Sequence, residues 1–216
     1  MHSSFNLIKS NSANINGGKE IITDYINEVQ EDVSKNKLTG AQKGTIMHLF
    51  MQIVDLTKVS NLNEINEEIN LAVKKKVLTQ TQADTINPYK VLKFFKSNLG
   101  KRMLSSYYLK REQAFYLQIN MSDIFKNDDR VEIIENEDKL MVRGIIDAYF
   151  EENDELVIVD YKTDFVNEKN KDTITEKYTK QLEIYSRALS TLTGKKVKEA
   201  YIYLFGTEEE VLYKFD

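Results

Sequence analysis

Between Arg143 and Asp164 the chain spells two strands joined by a short tip, and the rest of the sequence has to cover them. Arg143 to Phe150 is apolar apart from Asp147, Glu151 to Glu155 is an acidic tip without glycine, and the second strand opens on Leu156-Val157-Ile158-Val159. A short β-branched run with no polar alternation belongs to a strand buried on both faces of a sheet. Such a strand would normally end in neutral turn residues. This one runs straight into Asp160-Tyr161-Lys162. Side chains two apart on a strand share a face, about 7 Å from each other. Asp160 and Lys162 therefore point the same way, and hairpin pairing brings Asp147 beside them.

Any one of these three residues alone reads as a structural ion pair. Together they pose a different problem. Two neighbouring carboxylates repel, and one of them stays protonated unless a cation stands between them. A single lysine offsets only part of that charge. A hard divalent cation offsets the rest, and oxygen ligands suit Mg²⁺ or Mn²⁺. Lys162 is then left to act on a water or a phosphate, which is the arrangement for metal-assisted hydrolysis of a phosphodiester.

The remaining composition sets limits. The 216 residues carry a net charge of −4, no cysteine, one proline and eight glycines. Length and hydrophobic content fit one domain with a sizeable core. The absence of cysteine rules out disulfides, Cys-ligated zinc and Cys-ligated iron–sulfur clusters within the chain. No G-x-x-x-x-G-K-[ST] loop is present, so the chain has no P-loop ATP site, and no apolar stretch reaches membrane-spanning length. Charge is unevenly distributed. Leu71 to Arg111 holds ten Lys or Arg against the single acid Asp84, whereas Asp123 to Glu155 holds twelve acids against four bases. An acidic centre beside a basic track suits an enzyme that holds a polyanion and cuts it, although each run alone also fits a solvated helix face.

Residues 1–18 are polar and read as an arm or linker remnant, and 19–34 as a helical segment. Helices are expected at Gly44–Leu56 (stripe Ile46, Leu49, Phe50, Ile53), at Leu62–Lys76, at Thr79 to about Asn87, and after Pro88. In the first of these the narrow polar strip carries His48, which then points at something specific. Lys90, Lys93 and Lys96 lie three apart and could form a track for a DNA backbone. From Lys110 the period changes. Strands are expected at 112–119, 139–150, 156–162, 197–205 and 210–215, with a further one at 130–135. Phe165–Thr173 reads as a loop and Ile174–Leu192 as a helix closed by Gly194. Helices followed by strands, a helix and more strands make an α/β or α+β sheet with a helical part in front. Residues 19–216 are expected to form one domain, helical over 19–109, with the sheet and the site over 110–216.

The ordered set Gly144-Ile145-Ile146-Asp147 and Asp160-Tyr161-Lys162-Thr163-Asp164 resembles the core motif of the PD-(D/E)xK nucleases, and more narrowly the RecB-type nuclease domain. Upstream, Gly44-x-x-x-His48 matches the metal-binding histidine of that pattern, and Glu112 an acidic residue near the metal. Downstream, Gln181-x-x-x-Tyr185 matches its helical pair, one turn apart on one face. Lys110-Arg111-Glu112-Gln113-Ala114-Phe115 is similar to a strand of AddA-type helicase–nuclease subunits, with Ala114 where those usually have proline. Ile146 stands where the superfamily name has proline.

The resemblance implies an α/β, restriction-endonuclease-like central mixed sheet flanked by helices. It also implies a Mg²⁺-dependent deoxyribonuclease, with Mn²⁺ admitted by a histidine ligand, in which His48, Asp147, Asp160 and the Tyr161 backbone carbonyl hold the metal. Lys162 would orient water or stabilise charge, Glu112 would stand by, and Gln181 and Tyr185 would support DNA and the site. Thr163 and Asp164 would fix the turn. The implied setting is the bacterial cytoplasm, where a helicase motor and an AddB-type subunit deliver single-stranded DNA ends for recombinational repair, with no iron–sulfur cluster and no membrane. A stand-alone repair nuclease and a non-catalytic DNA-binding module remain as alternatives.

Overall fold

The computed structural model describes residues 6–7, 38–120, 139–163 and 171–215. The expected helix at 19–34, the strand at 130–135, the 164–170 part of the charged loop and Asp164 lie outside them. Five helices come first: α1 (Gly40–Ile53), α2 (Leu62–Lys74), α3 (Gln80–Ala83), α4 (Pro88–Lys96) and α5 (Asn98–Ser105). Each begins on a side chain that accepts from an otherwise unpaired N–H of the first turn. Thr39 and Gln42 form a capping box for α1, and Thr79 and Gln82 repeat it for α3. Asn61, Asn87 and Ser97 cap the other three.

Helix α3 stops at Ala83 rather than continuing to Asn87. Asn87 is held extended as the cap of α4, as a residue before proline prefers. Helix α5 was not anticipated. It follows α4 so closely that Ser97 is both the end of one helix and the cap of the next. A Cβ on Gly100 would stand 2.1 Å from the Phe94 carbonyl oxygen, so the backbones of α4 and α5 touch at a point only glycine permits.

The sheet has six strands: β1 (Asn6–Leu7), β2 (Leu109–Asn120), β3 (Lys139–Glu152), β4 (Glu155–Lys162), β5 (Val197–Leu204) and β6 (Glu209–Lys214). Their order is β1-β3-β4-β5-β6, with β2 also paired to β3. The β2–β3, β3–β4 and β5–β6 pairs are antiparallel. The β4–β5 pair is parallel, bridged by helix α6 (Lys171–Thr193). Asn6 and Leu7 pair with Arg143 and Val142, so part of the N-terminal segment joins this mixed sheet.

Strand β4 is buried along its whole interior, as its apolar run requires. Ala148, Phe150, Val157, Val159 and Tyr161 face the core under α1–α5. Ile146, Tyr149, Leu156, Ile158 and Ile202 face Tyr178, Leu182, Tyr185 and Leu189 of α6. The result is a three-layer α/β/α arrangement with β4 at its centre. The glycine-free tip of the β3–β4 hairpin works because Asn153 and Asp154, at φ 55° and 62°, both take the left-handed conformation that a tight primed turn demands. At the other end of α6, Gly194 at φ 72° closes the helix as expected.

Away from the Asp160 end of the sheet, Arg102 of α5 clasps the strands. Its guanidinium donates to both oxygens of Glu152 at 3.0 and 2.8 Å, to Glu199 at 2.7 Å and to the Tyr201 hydroxyl at 2.8 Å. Lys198 adds a 2.6 Å contact to Glu152. Arg102 and then Lys198 pull the Glu152 carboxyl down to about 2. A carboxyl held below its unfolded value adds stability that is complete above the unfolded pKa and lost as pH falls through the folded one. We expect Glu152→Gln to cost about 1–2 kcal/mol at pH 6, after discounting for partial exposure. That difference should shrink steadily between about pH 4.5 and pH 2. Urea midpoints of the two proteins across that range check it; a pH-independent gap would dismiss the clasp as an acid-sensitive element.

Candidate active site

The site is built where the sheet stops being regular. The β2–β3 ladder pairs Arg111 with Ala148 and Gln113 with Ile146, but skips Glu112 and Asp147 between them. Glu112 has φ 54°, a left-handed conformation that a glutamate does not adopt without support from its surroundings. Here the facing of both strands inverts. Phe115, Leu117, Val142 and Ile146 lie on the α6 side, whereas Leu109, Ala148 and Phe150, all at the same sequence parity within their strands, lie on the α1–α5 side. Glu112 and Asp147 face each other across that inversion.

The β3–β4 ladder ends at Ala148–Val159, so the two strands part just before Asp147 and Asp160. In the gap the Asp147 carboxylate takes the role of the missing strand. Its Oδ2 accepts the Tyr161 N–H at 2.7 Å. Its Oδ1 lies 3.1 Å from His48 Nδ1. His48 reaches it because α1 is fixed at two places. Arg111 donates to the Met51 and Val54 carbonyls, at 3.0 and 2.8 Å, satisfying acceptors left open at the end of a helix. One turn before His48, Gly44 lets the helix approach Thr163, where an added Cβ would lie 2.8 Å from Thr163 Oγ1.

Among the described residues, the three-donor group able to hold a metal is His48, Glu112 and Asp147, one ligand atom of each lying within 4.8 Å of the others. Asp160 is not in that group. Its Oδ2 lies 2.6 Å from Lys162 Nζ and its Oδ1 3.4 Å from Gln181 Nε2. Gln181 in turn donates to the Tyr185 hydroxyl at 2.6 Å, so the expected pair on α6 acts as a chain behind Asp160. Lys162 also stands over the Tyr178 ring, 4.9 Å from its centroid. Tyr161 enters the site through its N–H; its ring is buried, edge-on to those of His48 and Phe94.

The electrostatics express a buried site with surplus negative charge. Burial raises the Glu112 carboxyl to about 7, and neighbouring Asp147 adds to that rise. Burial likewise raises Asp160, to about 6, with Lys162 pulling it down and Asp147 pushing it up. Asp147 goes the other way. Burial opposes its ionisation, but His48, Lys162 and the Tyr161 N–H hold it below the ordinary carboxylate range. Burial alone would lower the His48 imidazole, and Asp147 more than reverses this, so it moves up. A carboxyl that must carry a proton near neutrality, next to one that stays charged, marks a place where a cation can replace protons. Two carboxylates and an imidazole fit Mg²⁺ or Mn²⁺.

The lysine track turns out to be largely committed elsewhere. Lys90 donates to the Phe205 and Gly206 carbonyls at 2.7 and 3.0 Å, and Lys93 pairs with Glu208. Both tie α4 to the end of β5 and the turn that follows. Lys96 is exposed. Two residues of the site went unmarked in the sequence. Arg111 looked like one more base in a basic run, and Tyr178 like one more apolar residue in the α6 stripe. The signal for Tyr178 was its place three residues before Gln181, on the same face.

A model of the PD-(D/E)XK nuclease superfamily matches residues 23–215. The chain is similar to an ATP-dependent helicase/nuclease subunit of Clostridioides difficile strain 630, 49% identical over 191 residues, covering 86% of this chain and 15% of that protein. It is 50% identical over 171 residues to the subunit of the same name from Thermoanaerobacter sp. strain X514, covering 79% and 14%. With that of Clostridium novyi strain NT it shares 43% over 178 residues, covering 82% and 14%. The chain thus spans about one seventh of the length of the curated relatives it matches.

Proposed function

The chain belongs to the PD-(D/E)XK nuclease superfamily, and we propose that it is the metal-dependent, DNA-cutting part of a bacterial ATP-dependent helicase–nuclease. The observation that carries this reading is the junction where β3 and β4 part. There Asp147 joins His48 and Glu112 within 4.8 Å, while Asp160 holds Lys162 at 2.6 Å on the adjoining strand. Among the described residues no helix is long and apolar enough to cross a membrane.

In this reading His48, Glu112 and Asp147 hold Mg²⁺ or Mn²⁺, with Asp160 beside them. The ion, when bound, polarises a phosphate oxygen and makes water a competent nucleophile near neutral pH. The chain's own groups do the rest. The Tyr161 N–H and His48 fix both oxygens of Asp147, so the carboxylate does not swing as charge develops. Lys162 presents an ammonium to the water or to the phosphate, held by Asp160. Gln181, braced by Tyr185, sets the Asp160 rotamer. The substrate is DNA, with single-stranded ends delivered by a helicase motor, and the partner an AddB-type subunit in the bacterial cytoplasm. These follow from the names of the relatives, which describe much longer proteins.

The test is cleavage of end-labelled single- and double-stranded DNA by the 216-residue chain with Mg²⁺, Mn²⁺ or excess chelator. We expect cutting with either metal and none with chelator, restored by adding metal back. Cutting that survives chelation would overturn the metal reading. Metal binding without cutting would assign activity to the longer protein only.

A further inference from the structure

We propose that Tyr178 is a positioning residue for the reaction, holding the Lys162 ammonium by its ring face. The inference deepens the nuclease reading and rests on it. Lys162 and Asp160 share the α6 side of β4, and α6 supplies one side chain to each. Gln181 reaches Asp160 Oδ1, and Tyr178, three residues earlier on the same face, lies under Lys162 Nζ at 4.9 Å from its ring centroid. Tyr178 is 4% exposed, packed with Leu182 and Tyr185 in the core that α6 shares with the sheet. Its ring is therefore fixed by the fold before any substrate arrives. The Lys162 side chain, 12% exposed, passes between this ring and the Asp160 carboxylate 2.6 Å away.

The chemistry of the two contacts differs. A carboxylate attracts an ammonium by offsetting its charge. An aromatic face attracts it through the ring quadrupole and leaves that charge undiminished. It also takes up none of the N–H donors a water or phosphate oxygen would need. A long lysine stem has many rotamers, and holding the head group in one of them is worth most where the reacting atoms must be aligned to a fraction of an ångström. Tyr178 thus restricts Lys162 without competing with what Lys162 is there to bind. A second carboxylate in its place would add to a site already overloaded with negative charge.

The proposal is tested with Tyr178→Phe and Tyr178→Leu. Phenylalanine keeps the ring face, and leucine keeps an apolar filling without it. We expect the Phe variant to cut single-stranded DNA with Mn²⁺ within about twofold of the parent. The Leu variant should lose about tenfold to thirtyfold in kcat with KM unchanged, as for a desolvated cation–π contact. A second readout needs neither metal nor DNA. In protein labelled with ¹³C-lysine, the Lys162 ε-methylene resonance, assigned by its loss in Lys162→Gln, should lie upfield through the ring current. It should stay there in the Phe variant and return to the position of exposed lysines in the Leu variant.

Equal kcat for the Leu variant and the parent, or an unshifted resonance in the parent, would overturn the assignment. Equal losses in both variants would mean that the hydroxyl or the packing matters rather than the ring face, and would overturn it too. A parent that cuts nothing would instead remove the nuclease reading beneath it.

Discussion

Asp147→Ala is expected to lower metal-dependent cleavage by at least about 10²–10³-fold, the loss typical of removing an electrostatic group aimed at the transition state. Asp147 is the one residue that every part of the site touches. His48 meets its Oδ1, the Tyr161 N–H meets its Oδ2, and Glu112 faces it across the inverted strands. Alanine would also leave the Tyr161 N–H without its acceptor, a cost of roughly 1–3 kcal/mol if the group stays buried. Asp147→Asn separates the two effects. Its amide oxygen can still accept from Tyr161, so the divergence of β3 and β4 should persist, while the negative charge that attracts a cation is gone. We expect the Asn variant to unfold within about 1 kcal/mol of the parent and to cut no better than the Ala variant. Mn²⁺ titration by calorimetry should show weakened binding in both. An Asn variant that cuts within tenfold of the parent would remove Asp147 from the centre of the mechanism.

The strand carrying the site was legible because its signal is local. Four apolar residues followed by Asp160-Tyr161-Lys162 could only be a buried strand ending in charge, and β4 is that strand. His48 was legible for the same reason: a helix apolar on most sides leaves one narrow strip, and what stands in it must have a partner. The partition of roles was not legible. The expected metal set included Asp160 and left Glu112 in reserve, whereas the group gathered by the structure contains Glu112, and Asp160 faces Lys162 and Gln181. The difference lies in the backbone at Glu112. A left-handed residue in a strand inverts the facing, and no propensity predicts it for glutamate. Lys90 and Lys93 show the opposite limit. Their spacing suggested a surface track, but their acceptors lie more than a hundred residues away in sequence, at Phe205 to Glu208, where a local pattern carries no information. Helix α5 escaped because Ser97 has to be read twice, as an end and as a beginning.

The largest loss of stability is expected from Phe94→Ala, at about 3–5 kcal/mol and toward the upper end of that range. Phe94 is fully buried, and four rings surround it: Phe95, Tyr161, Tyr203 and Phe205, at centroid distances of 5.0, 5.3, 4.8 and 6.2 Å. The cost of such a truncation depends on how far the neighbours can collapse into the space. Here they cannot move far. Tyr161 and Tyr203 are paired on neighbouring strands, and α5 already touches the α4 backbone at Gly100. The cavity should therefore remain largely open. Its effect reaches the site as well, because the ring that borders it belongs to the residue whose N–H holds Asp147. Partial inward movement of Tyr161 would loosen that hydrogen bond, so Mn²⁺ affinity should fall even at temperatures where the variant is fully folded. Urea unfolding gives the first quantity and calorimetric titration at low temperature the second. A destabilisation below about 2 kcal/mol would mean that the aromatic cluster repacks. Unchanged metal affinity in the folded variant would mean that Asp147 is held by His48 and its own strand, independently of the core beneath Tyr161.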